Sequence, residues 1–210
     1  MDSKGSKIPV ISIAVVLVFL AIAGTYLLIG GRESVSISGK NVLIVLAPAG
    51  FNDTEYSTVR NLLAQSGASV HVASTTTQTA IGMQGTQVNP DMSVADASAT
   101  DYDAVVLIGG AGVENAYFNS QVLHTLLISA NDHGKVIGAI CIAPVVLANA
   151  GILNGKRATV FDGSYITMLE ARGAIYTGES VTADGNIITA NGPGASDEFA
   201  RKIIEALQRL

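Results

Sequence analysis

"KVIGAICIAPVVLANAGIL", Lys135 to Leu153, fixes the architecture and raises the chemical question. Its first half is a short apolar run of strand length and composition. Its second half is an apolar segment that opens on Pro144, suited to the first turn of a helix, and stops at Gly151. A buried strand feeding straight into a helix is half of a βαβ unit. The only cysteine of the chain, Cys141, sits at the junction.

The same grammar extends in both directions. Upstream, "NVLIVLA" (Asn41 to Ala47) reads as a buried strand. In the helix "NDTEYSTVRNLLAQSG" (Asn52 to Gly67), Asn52 or Asp53 caps the start, and Tyr56, Val59 and Leu63 share a face. "ASVHVAS" is a second strand. The polar stretch 75–100, with Gly82, Gly85 and Pro90, predicts a small hairpin. "DYDAVVLIGGAG" is a third strand ending in glycines, and "NSQVLHTLLISANDHG" is a helix with Val122, Leu126 and Leu127 turned inward. Downstream come "ATVF", a helix-like "GSYITMLEARG", and "SVTADGNIITA" with a turn at Asp184-Gly185. In the last helix Phe199, Ile203, Leu207 and Leu210 line one face, and Asp197 and Glu198 meet the positive end of its dipole. Strands alternating with helices predict a parallel sheet covered on both faces. Nearly half of the 210 residues are hydrophobic but none is Trp, so Val, Ile, Leu and Ala must fill the core.

The formal charge of −5, with 12 Lys and Arg, argues against a nucleic-acid partner, which needs a basic face. One cysteine excludes an internal disulfide. No Cys/His/Asp grouping has metal-ligand spacing and no phosphate-loop motif appears, so neither metal nor cofactor is expected. The first forty residues differ in kind. Ile8 to Gly31 carries no charge, and these 24 residues as a helix reach roughly 36 Å, enough to cross a hydrocarbon core. The expectation is a tail and single transmembrane helix over 1–31, a polar linker over 32–40 and a globular domain over 41–210. The alternative is a signal peptide cleaved after "AIA", Ala21 to Ala23. Lys4 and Lys7 tip the orientation slightly towards an inside amino terminus, placing the domain on the extracytoplasmic side.

Active groups of open α/β sheets collect beyond the carboxyl ends of the strands. Three such ends stand out: "APAGFNDTE", "GGAG" and "CIAP". A cysteine between strand and helix lies near free N–H groups that favour a thiolate. Gly109 and Gly110 let backbone N–H groups approach a neighbouring oxyanion.

Together, in this order, the segments resemble the DJ-1/PfpI family. "GFNDTEY" resembles its Gly-Phe-Glu-Asp-x-Glu segment, "DYDAVVLIGGAG" its strand ending in Gly-Gly, "AICIAP" its nucleophile elbow, and "GNIITANGPGAS" its terminal Ile-Thr-x-x-Gly-Pro-Gly. The resemblance covers Asn41 to Leu207 and implies a flavodoxin-like three-layer α/β/α sandwich with a mostly parallel sheet. It implies that Cys141 is the reactive cysteine and Glu55 the carboxyl bonded to its sulfur. The oxyanion site then falls to the backbone of Gly109, Gly110 and Ile142. It further implies a homodimer or larger homo-oligomer, and a hydrolase or glyoxalase-like reaction on small carbonyl compounds or peptides. The departures are equally specific. Ile142 stands where the protease-like branch has a histidine, "RGAIYTGES" (Arg172 to Ser180) lacks the histidine of the DJ-1-like branch, and Ala143 and Asn52 replace a Gly and a Glu. His71, His124 and His133 all read as structural. A non-enzymatic redox sensor, chaperone-like or interaction module is therefore the alternative reading.

Overall fold

The computed structural model describes residues 36–210. The transmembrane or signal segment expected over Ile8 to Gly31 lies outside them. Among the described residues, no helix is long and apolar enough to cross a membrane.

The strands are β1 (Asn41–Val45), β2 (Ala49–Phe51), β3 (Ser69–Ser74), β4 (Ala80–Gly82), β5 (Gln87–Val88), β6 (Met92–Ser93), β7 (Ala104–Leu107), β8 (Val136–Ile140), β9 (Arg157–Ala158), β10 (Ile175–Tyr176), β11 (Val181–Asp184) and β12 (Ile187–Ala190). The helices are α1 (Asp53–Gln65), α2 (Gly112–Tyr117), α3 (Gln121–Asp132), α4 (Pro144–Asn149), α5 (Ser164–Glu170) and α6 (Ser196–Leu207). Seven strands form the main sheet in the order β11-β12-β8-β7-β1-β3-β6. All its pairings are parallel except β11 with β12, which are joined by the turn at Asp184-Gly185. α1 and α6 pack together on one face, with α6 against β8 and β12, while α3 covers β7 and β8 on the other. This is the expected three-layer sandwich. β7 and β8 are buried at every position, as runs covered on both faces must be.

Several local expectations need correction. In α3 the buried stripe is Leu123, Leu126, Leu127 and Ala130, whereas Val122 is 51 % exposed. The Ser120 hydroxyl accepts the Leu123 N–H and fixes that register. Leu210 lies beyond the end of α6, exposed. Within the expected linker over 32–40, Ile37 is buried and donates its N–H to the Ser66 carbonyl at the end of α1, so that part of it closes onto the core. Within 75–100 the expected hairpin is present as β4 and β5, antiparallel, with β2 paired alongside.

The hairpin is tied down by a buried acid. Asp53, at the start of α1, accepts the Gln84 N–H at 2.8 Å and the Thr86 N–H at 2.9 Å. Burial works against its charge, but these hydrogen bonds prevail and hold the carboxyl below the usual range.

Candidate functional site

β1, β7 and β8 are neighbours, so the three segments leaving their carboxyl ends converge. The segment after β1 reaches α1, where the Asn52 side chain caps the helix by accepting the Glu55 N–H at 3.1 Å. This cap starts the helix where Glu55, in its first turn, points into the core: Glu55 is 0 % exposed. The segment after β7 brings Gly109 and Gly110. A Cβ on Gly109 would run into the Cys141 side chain and the Glu55 carboxyl. Gly110 has φ of 108° and lies against the backbone of Gly50 to Asn52, so no side chain fits there. β8 delivers Cys141.

Cys141 is, among the described residues, the one non-glycine with positive φ, at 63°. A left-handed residue of this kind costs on the order of 1–3 kcal/mol and persists only where its surroundings hold it. Here they do. The Cys141 N–H donates to the Ala190 carbonyl and its own carbonyl accepts the Phe161 N–H, both at 2.9 Å. The strand-to-helix elbow is thus clamped on both sides, and the sulfur, largely buried, faces Glu55.

The electrostatics of the pair follow from the donors around it. Glu55 Oε2 accepts the Gly109 N–H at 2.9 Å, while its buried Oε1 lacks a hydrogen-bond partner of good geometry. Burial pushes the carboxyl up to about 7, opposed by the Gly109 N–H and by the Cys141 thiol. With Glu55 ionised, burial first and then the carboxylate's charge push the Cys141 thiol up to about 12, against the N–H groups of Gly110 and Ile142. Two negative charges therefore do not coexist at working pH, and the pair titrates as one unit. When it holds a single proton, donor count decides where that proton sits. A thiolate is served by the N–H groups of Gly110 and Ile142, and by the carboxylic acid itself once Glu55 is protonated. A carboxylate is served by the Gly109 N–H and by the Cys141 thiol. The N–H groups of Gly110 and Ile142 thus favour the thiolate, against the burial that raises it.

Cys141, Glu55, Gly109, Gly110 and Ile142 are thus brought together, but their roles divide differently from the sequence reading. The Gly109 N–H is committed to Glu55 rather than free for an oxyanion. The Ile142 side chain is buried, and its contribution is its N–H. "RGAIYTGES" supplies β10, which pairs with β9. The segment that actually lies against the elbow is the one leaving β9, ending in Phe161. None of the three histidines is placed to serve the sulfur. His71 shares a hydrogen bond with Ser69, and burial lowers the pKa of His124, which lies against the carbonyls of Phe118 and Tyr117. His133 bonds the Ser129 carbonyl at the end of α3. Among the described residues no group of His, Cys, Asp and Glu is arranged to hold a metal ion.

One side chain near the sulfur carried no sequence signal. Tyr165, in the first turn of α5, lies edge-on to Phe118 at 6.3 Å between ring centres, and burial first and then the charges of Glu114 and Cys141 raise its hydroxyl above its ordinary value. Glu114, Phe118, Val145, Met168 and Arg172 line an open groove of about 630 Å³.

The DJ-1/PfpI family model matches residues 40–206. A protein of Methanocaldococcus jannaschii without assigned function is 35 % identical over 94 % of this chain and 97 % of its own length. Protein dj-1beta of Drosophila melanogaster is 37 % identical over 80 % of this chain and 89 % of its own. The crystal structure of a ThiJ/PfpI domain protein from Brachyspira murdochii superposes with a TM-score of 0.79 at 30 % identity, over 82 % of this chain and 99 % of that one. Two further relatives carry an activity in their names. They are glutathione-independent glyoxalase DJR-1.2 of Caenorhabditis elegans (31 % identical; 80 % of this chain, 89 % of its own) and a deglycase of Pyrococcus abyssi (28 %; 79 % and 99 %).

Proposed function

The chain belongs to the DJ-1/PfpI family, and on that premise we propose that it is a cysteine-dependent enzyme acting on small carbonyl compounds, in the manner of its glyoxalase- and deglycase-named relatives. The observation that carries the reading is the strained Cys141 elbow facing a buried, under-donated Glu55. Strain and an unpaired buried acid both cost stability, and together they make a poised thiolate beside a stored proton.

The first step follows from that state. The Cys141 thiolate attacks the carbonyl carbon, the S–C bond forms, and the C–O π pair moves to oxygen. The oxygen then takes the proton that Glu55 holds, leaving a hemithioacetal and a Glu55 carboxylate. No imidazole assists, and a missing general acid–base group commonly costs on the order of 10²–10⁴ in rate. The enzyme is therefore slow towards substrates that need one, such as peptides. Turnover of methylglyoxal by the full chain, abolished in Cys141→Ser, is the test; equal turnover by both proteins removes the reading.

The second reading is a redox sensor. It is favoured by one observation: Cys141 is the sole cysteine, so an oxidised sulfur has no resolving thiol within the chain. Mild peroxide should then add two oxygens to the intact mass, lost in Cys141→Ser, without any carbonyl turnover.

Membrane anchorage through Ile8 to Gly31, with the domain on the extracytoplasmic side, and homodimerisation belong to the same proposal. The uncharged run supports the first. The full chain should stay with membranes after carbonate washing, whereas a mature amino terminus at Gly24 would show a cleaved signal instead.

A further inference from the structure

Asn52 and Glu55 have the spacing of a capping box. In such a box the cap side chain accepts the N–H of the residue three positions on, and that residue's carboxyl reaches back to the cap's own N–H. Only the first half is made here. The Asn52 side chain accepts the Glu55 N–H at 3.1 Å, but the Asn52 N–H donates to the Gly109 carbonyl at 2.9 Å. The Glu55 carboxyl, released from the cap, accepts the Gly109 N–H at 2.9 Å. Gly109 is thus inserted into the box, accepting from one end and donating to the other. Three hydrogen bonds close a ring through Asn52, Glu55 and Gly109. The ring lies against the sulfur's residue: a Cβ on Gly109 would meet the Cys141 side chain on one side and Glu55 Oε2 on the other.

We propose that Asn52 is a positioning residue of the Cys141 site: its capping box, opened onto Gly109, holds the Glu55 carboxyl inside the core beside the sulfur instead of at the helix end. The inference rests on the Cys141–Glu55 chemistry proposed above. A closed box would turn the carboxyl back onto the end of α1, where first-turn acids usually balance the dipole. In the opened box Glu55 is fully buried. An amide suits the position because it caps without charge. A carboxylate would cap as well, but it would set a second negative charge beside an acid that must keep its proton. Among the described residues, Cys141 is the titratable group that bears on Glu55, while Asp53 is turned to the hairpin segment 84–86.

The experiment reads the acid directly. In the full chain labelled with ¹³Cδ-glutamate, the Glu55 resonance, identified by its absence in Glu55→Gln, is followed against pH. Asn52→Gly removes the acceptor at little cost to the helix, since glycine is itself a tolerated cap. The first turn should then loosen, water should reach the carboxyl, and its midpoint should fall from about 7 towards the ordinary 4.5. A charged Glu55 at neutral pH raises the thiol. Iodoacetamide should therefore alkylate Cys141 about fivefold more slowly at pH 7, the factor that one cap hydrogen bond represents. The kcat for methylglyoxal should fall by a similar factor with little change in KM. Asn52→Ser, which restores an acceptor, should recover all three. Ser120→Ala is the control. It removes the matching cap of α3, where the hydroxyl accepts the Leu123 N–H at 3.3 Å, and should lower Tm without moving the Glu55 midpoint. An unchanged midpoint in folded Asn52→Gly overturns the proposal. So does an equal displacement in Ser120→Ala, which would make the cap a matter of general stability. A wild type inactive on methylglyoxal, in which Asn52→Gly still moves the midpoint and Asn52→Ser restores it, keeps the positioning role and loses only the substrate reading.

Discussion

Asp53 and Glu55 stand two residues apart in the first turn of α1, both buried, and their chemistry is opposite. Asp53 receives two backbone N–H groups from the hairpin segment 84–86 and is held below the ordinary carboxylate range despite its burial. Glu55 receives one, from Gly109, leaves Oε1 without a good partner, and is pushed up to about 7 by burial. Depth of burial and the number of directed donors together separate a structural clasp from a proton store. Both residues lie in the first turn of the helix, so its dipole does not explain the difference; deeper burial of Glu55 and the larger set of donors on Asp53 do.

The largest effect expected from breaking this contrast is on turnover. Glu55→Ala removes the stored proton and should lower the methylglyoxal rate by about 10²–10⁴, whereas Asp53→Asn, if folded, should leave the rate within a few-fold. Steady-state kinetics on the two variants at pH 7.5 checks this, and equal losses would erase the distinction.

Stability should move with opposite signs. Asp53→Asn turns an amide N–H towards backbone donors, and leaving such groups unmatched costs about 1–3 kcal/mol. Glu55→Gln removes an acid whose folded value of about 7 lies above the usual 4.5. At about 1.36 kcal/mol per unit, that difference amounts to about 3 kcal/mol above pH 7. Urea unfolding at pH 8 should show Asp53→Asn weaker than wild type and Glu55→Gln stronger.

The pH profile sharpens the same point. The folded Cys141–Glu55 pair keeps a proton that the unfolded chain loses near 4.5, so the stability it contributes is complete below that pH and is lost as pH rises through about 7. Asp53 has the opposite sign. Its value is depressed in the fold, so its contribution is present above the usual 3.8 and is lost as pH falls through its folded value. Unfolding free energy measured from pH 3 to 9 should decline on both sides, with the upper decline removed by Glu55→Gln and the lower one by Asp53→Asn.

How much of this was legible beforehand differs element by element. The β-branched runs of β1, β7 and β8 announce buried parallel strands because covered strands need no polar alternation. Cys141 and Glu55 were legible because they sit at strand-to-helix junctions in a family-like order. The engagement of the Gly109 N–H was not, since it depends on how far a side chain 54 positions away penetrates the core. Nor was Asp53, which reads as an ordinary first-turn acid until the hairpin at 80–88 folds over it. Tyr165 and Phe161 escaped notice because their segment meets the elbow only through the tertiary fold, and no spacing rule links residue 161 to residue 141. The burial of Ile37 was not legible because a single apolar residue in a polar stretch carries no periodicity.

The central claim is that, when the pair holds one proton, the charge lies on sulfur. Thiolate absorbance near 240 nm, followed against pH in the full chain and in Cys141→Ser, tests it most directly. The account predicts a step with the amplitude of one thiolate below the free-thiol range, absent in Cys141→Ser, because the first proton leaves the sulfur and the carboxyl keeps the other. Absorbance that stays flat through neutral pH and rises only towards about 12 would place the charge on Glu55 and contradict the account.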